Sequence, residues 1–158
     1  LYEQKIKAGL VYNLLKYTTW PAIEVSASEK STKEKSVINV CIFGADPFDG
    51  YLAPLEGRTA NQAIISILHV TQIPQLDGCH ALIIHRSEEK QLADLVQSLN
   101  GKNILTISDV AQFSKRGGMV ELAKEGEKIA LFVNNKTVFN AGLVIEEPML
   151  RLAKVVGN

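Results

Sequence analysis

Apolar residues recur every three or four positions at the start of the chain and gather in short continuous runs through its middle. Within residues 3–19, Ile6, Leu10, Val11, Leu14, Leu15 and Tyr17 fall at helical spacing, which predicts an amphipathic first helix. Trp20-Pro21 ends it, because a residue before proline avoids the helical region. The segment from Glu24 to Ser36 is polar, charged and almost free of large apolar side chains. It cannot bury much surface and reads as a flexible surface loop over 24–36.

VINVCIF, from Val37 to Phe43, is apolar except at Asn39, the pattern of a strand buried on both faces of a parallel sheet. Asp46-Pro47 follows as a helix start, with Phe48, Tyr51 and Leu52 on that helix. Ala63 to Val70, Ala81 to His85 and Ile104 to Ile107 are the next strands. Ser87 opens a helix running to about Leu99, with Glu88 and Glu89 in its first turn and Gly101 as its stop. Asp109 caps a short helix from Val110 to Phe113, and Gly117-Gly118 turns the chain into Met119 to Ala123. Lys128 to Asn134 completes a hairpin about Gly126. A polar turn, an extended segment and a closing helix from Glu147 to Val156 end the chain. Alternating strands and helices predict an α/β three-layer sandwich, a single domain over 1–158. Its sheet is mostly parallel with an antiparallel edge hairpin, and helices cover both faces.

The 158 residues suit one core, and 46% of them are apolar. Seventeen basic and 17 acidic residues cancel, which argues against a nucleic-acid protein. Apolar runs are strand-sized, so no transmembrane span is expected. The chain opens on Leu1 rather than Met, so a mature or trimmed form is expected, with removal of a signal peptide as one route to it.

Candidate chemistry is sparse. GADPFDG, after the strand ending at Phe43, stands where a phosphate loop would, but lacks the glycine spacing of one. His80 and His85 lie five apart and face opposite sides of a strand, so no metal site is expected. No GxSxG occurs and no acid–base pair is identifiable, so no enzyme activity and no cofactor are expected. Asp109 follows a strand end, where α/β proteins place their sites, and Gly117-Gly118 beside Lys115 and Arg116 suits an anion nest or a tight turn. A small-ligand cleft near Asp109 and Gly117-Gly118 is therefore the alternative function. Trp20 is a core residue or a binding anchor, and the apolar Leu150 and Leu152 belong to the core or to an interaction face. Cys41 and Cys79 are too few for a disulfide scaffold and read alone as reduced core thiols.

Taken in order, five blocks resemble the YfiR-like family of bacterial periplasmic regulators. They are Tyr12-Asn13 through Lys16-Tyr17 to Trp20-Pro21, then Gly44 with Asp46-Pro47-Phe48, then Cys79-His80 with ALII. The fourth is Leu105, Ser108-Asp109, Phe113 and Gly117-Gly118-Met119; the last is Phe132, Asn134, Gly142-Leu143 and Leu150-Arg151-Leu152-Ala153. The resemblance implies a non-catalytic periplasmic protein that represses an inner-membrane diguanylate cyclase through that enzyme's periplasmic part, lowering cyclic-di-GMP and biofilm formation. It also implies a Cys41–Cys79 disulfide, worth roughly 4 kcal/mol in the chain-entropy view. A second cysteine pair, present in the best-known member, has no counterpart in Ser114 to Leu122. Residues expected to meet a partner or ligand are Trp20, Asp109, Phe113, Gly117, Gly118, Met119, Leu150 and Leu152, and a homodimer is expected as well.

Overall fold

The computed structural model describes residues 2–21, 36–46, 48 and 50–157. Ser36 already belongs to a strand; the rest of the polar 24–36 segment, with Pro47, lies outside the described residues. Helix α1 (Tyr2–Tyr17) turns Val11, Leu14 and Leu15 inward, as its spacing predicts, and hands over to a short strand, β1 (Thr18–Thr19). The main strands follow as β2 (Ser36–Phe43), β3 (Thr59–Ala60), β4 (Ala63–Val70), β5 (Ala81–Ile84) and β6 (Leu105–Ser108). Then come β7 (Val120–Glu125), β8 (Lys128–Asn134), β9 (Val144–Ile145) and β10 (Ala153–Val156).

Eight strands form one sheet in the order β10-β8-β7-β6-β5-β2-β4-β3. Its centre, β4 through β7, is parallel; β8 returns antiparallel about Gly126, and β10 adds parallel outside it. β1 and β9 pair separately. Side chains alternate across the pleat. Ile38, Val40 and Ile42 therefore enter the core under α1, while Cys41 and Phe43 enter the opposite core. That second layer is closed by α2 (Leu92–Ser98), through Leu92, Leu95 and Leu99, and by Phe113. Layers on both faces give the expected three-layer α/β architecture.

Several local expectations give way to tertiary structure. Asp46 does take the amides of Phe48 and Gly50, each at 2.8 Å. But Gly50 is left-handed (φ +83°), and only a 3-10 turn at Ala53–Leu55 follows, not a helix. The helix from Ser87 is split: His85 Nδ1 accepts from Ser87 N (3.0 Å), a 3-10 stretch runs Arg86–Gln91 and only then does α2 begin. The polar turn after Asn134 and the start of the extended segment are instead α3 (Asn135–Asn140), capped when Asn134 Oδ1 accepts from Thr137 N at 3.1 Å, and the segment is extended only later, as β9. The closing helix is a single turn, α4 (Glu147–Leu150). Its predicted remainder is β10, because Ala153 to Val156 find the open edge of β8.

Candidate functional site

Open parallel sheets bind ligands beyond the carboxyl ends of their strands. Asp109 stands there, one residue past β6, with its side chain 5% exposed. Its Oδ2 accepts from Arg86 Nη2 at 2.9 Å and lies 3.8 Å from Lys7 Nζ. Its Oδ1 has no hydrogen-bond partner among the described residues. Lys7 is itself only 3% exposed and donates to Glu3 Oε2 at 3.0 Å, while Lys124 lies 3.3 Å from the other Glu3 oxygen. The result is a line of alternating charge, Arg86–Asp109–Lys7–Glu3–Lys124. The Lys7 hydrogen bond is the main reason the Glu3 carboxyl is held below its ordinary range. The Lys7 charge and Lys124 act in the same direction, and burial opposes them.

Asp109 therefore does not cap the segment after it. Ser108 does that work: its Oγ accepts from Val110 N (3.0 Å) and donates to Ile84 O (2.7 Å). The segment itself forms a 3-10 turn at Phe113–Lys115 rather than a helix from Val110. Phe113 is buried, and Gly118 lies flat against its ring, where a Cβ would collide. Gly118 N donates to Phe113 O and Arg116 is paired with Glu89, so this turn offers little to an anion. A second buried carboxylate, Glu121, ties the turn down through Gln112 N, Ser114 N and Ser114 Oγ. Neither Lys7 nor Glu121 stands out in the sequence as a buried charge. The one signal is that Lys7 lies four residues before Val11 and seven before Leu14, on the apolar stripe.

The amino end of the sheet is organised differently. Trp20 is buried; its Nε1 donates to His80 O at 2.7 Å and its ring meets the His80 ring edge-on. His80 Nδ1 accepts from Asn39 N at 2.9 Å, and burial pushes the imidazole pKa down. Beside it Cys41 and Cys79 are joined, Cα to Cα 6.0 Å, so they are not free thiols. Gly117 and Met119 border a cleft of about 320 Å³ between α2 and α3. Asp109 is not one of its walls, being at the other end of β6. The single cleft expected near Asp109 and Gly117-Gly118 is thus two separate places.

Four large apolar side chains of the last third of the chain are exposed. Phe139 (76% exposed) lies on α3, Val144 (56%) in β9 and Leu152 (65%) just before β10, with Val155 on the strand itself. Leu150 is half-buried against the α1 core. Among the described residues no helix is long and apolar enough to cross a membrane.

A family model described as YfiR/HmsC-like matches residues 4–154. The chain belongs to the YfiR/HmsC-like family. No curated protein matches it in sequence. The match spans α1 to β10, and all five blocks lie within the matched residues. YfiR/HmsC-like proteins are regulators associated with diguanylate cyclases, not a catalytic family, and membership carries that general role to this chain.

Proposed function

We propose that this chain is a secreted periplasmic repressor, one domain over 1–158, that docks on the periplasmic part of an inner-membrane diguanylate cyclase and holds that enzyme down. Cyclic-di-GMP and biofilm formation are then low while the complex stands. The observation that carries the reading is the family match over residues 4–154. The Cys41–Cys79 bridge fits an oxidising compartment such as the periplasm. Large apolar side chains left in solvent, Phe139, Val144 and Leu152, suit a protein that works by contact. Among the residues singled out in the sequence, Leu152 is a large apolar side chain exposed for docking, whereas Trp20 and Phe113 lie within the core.

Removing the gene should raise cyclic-di-GMP, and restoring it should lower the level again. A complementing Leu152→Asp variant that is secreted and folded should fail to restore repression. An unchanged cyclic-di-GMP level after deletion sinks the proposal. The homodimer belongs to the same reading and is checked by light scattering on the purified protein.

A further inference from the structure

We propose that the cleft between α2 and α3 is a binding site for a small, uncharged heteroaromatic amide or a ring compound of that kind. The inference does not depend on the repressor reading. The cleft lies at the amino ends of β6 and β7, open on one side, with a volume of about 320 Å³, within the range of small-molecule sites.

Its chemistry is selective. Val96, Leu99 and Met119 supply an apolar surface suited to the face of a ring, and a thioether sulfur packs well against aromatic edges. Around them stand three carboxamides, Gln97, Asn100 and Asn140, each able to donate and accept. Thr106 is buried in the floor; its Oγ1 accepts from Met119 N at 3.0 Å. The hydroxyl hydrogen has no acceptor among the described residues, which leaves one donor available to a ligand. None of the lining residues is Lys, Arg, Asp, Glu or His. A carboxylate or phosphate entering here would lose water and gain no counter-charge, whereas a neutral amide exchanges its hydrogen bonds in kind.

The walls are fixed before any ligand arrives. Asn103 Nδ2 donates to Ala141 O and Asn134 caps α3, so both ends of that helix are held. On the other side Gly117 passes so close to Val96 that a Cβ would clash, and its φ of +96° suits glycine alone. Preorganised walls lower the ordering cost of binding.

The test is a ¹⁵N–¹H NMR titration of the oxidised full chain with nicotinamide and, separately, with nicotinate, the same ring carrying a charge. Nicotinamide should shift the amides of Gln97, Asn100, Gly117 and Asn140 saturably in the millimolar range. Nicotinate should leave them in place. Asn140→Trp and Gln97→Trp, on opposite exposed walls, should each abolish the nicotinamide shifts while the rest of the spectrum is kept. No saturable shift with nicotinamide, equal shifts with both probes, or shifts that persist in both folded variants overturn the proposal. Cyclic-di-GMP levels are read separately, so failure here leaves the repressor reading standing.

Discussion

His80 joins three parts of the molecule through one residue. Its carbonyl accepts from Trp20 Nε1 and Leu105 N, and its Nδ1 accepts from Asn39 N. A nitrogen that accepts a backbone amide carries no proton, so the folded state holds this ring neutral, and burial lowers its pKa from 6.5. The unfolded chain titrates near the ordinary value of about 6.5. Below that pH the unfolded state binds the proton first, so stability is complete above it and falls with acid until the depressed folded pKa is passed. Denaturant melts between neutral and mildly acid pH should show this loss, and His80→Asn, which keeps an acceptor, should flatten that part of the profile. An identical profile in the variant would remove His80 from the account. Residue-scale features of this kind are poorly legible in sequence. A helix wheel gives Lys7 an inward position, but only the folded arrangement supplies Glu3 and Asp109 to receive it. Asp109 was legible as a residue at a strand end, yet its partners come from α1 and from Arg86, far away in the chain.

Elements are most legible where apolar residues run together at strand length. β2, β4 and β8 announce themselves through length and apolar content, and the parallel centre follows from their alternation with helices. The ends were harder because propensity there is weak and pairing decides. Ala153 to Val156 is the clearest case: four residues that suit a helix or a strand become β10, since β8 would otherwise be an open edge. Lys154 completes the pairing by reaching Glu125 at 2.9 Å and lying over the Phe132 ring. Deleting residues 153–158 should therefore lower the melting temperature and expose β8 to association. Calorimetry and light scattering on the shortened chain check this. A truncated protein with unchanged melting temperature would mean that β10 contributes nothing to the sheet.

At the scale of the whole molecule, the eight-stranded sheet has different work assigned to its two ends. Charged residues gather past the carboxyl ends of the strands, and the cleft, the Trp20–His80 contact and the disulfide gather toward the amino ends. The disulfide has a topological consequence. Cys41 lies in β2 and Cys79 just before its neighbour β5, a sequence separation of 38. That stretch carries β3 and β4, the outer margin of the sheet, and the bridge makes it a closed covalent ring. Tension applied at the two ends of the chain bypasses such a ring. Stretching single molecules to full extension should release roughly 120–130 Å less contour with the bridge intact than after reduction, at about 3.3–3.6 Å per residue over a separation of 38, less the 6.0 Å that the bridged Cα atoms span. Equal extensions in the two states would show that the ring is open. While it is closed, the margin built from β3 and β4 carries no mechanical load between the termini, and the force path crosses directly from β2 to β5.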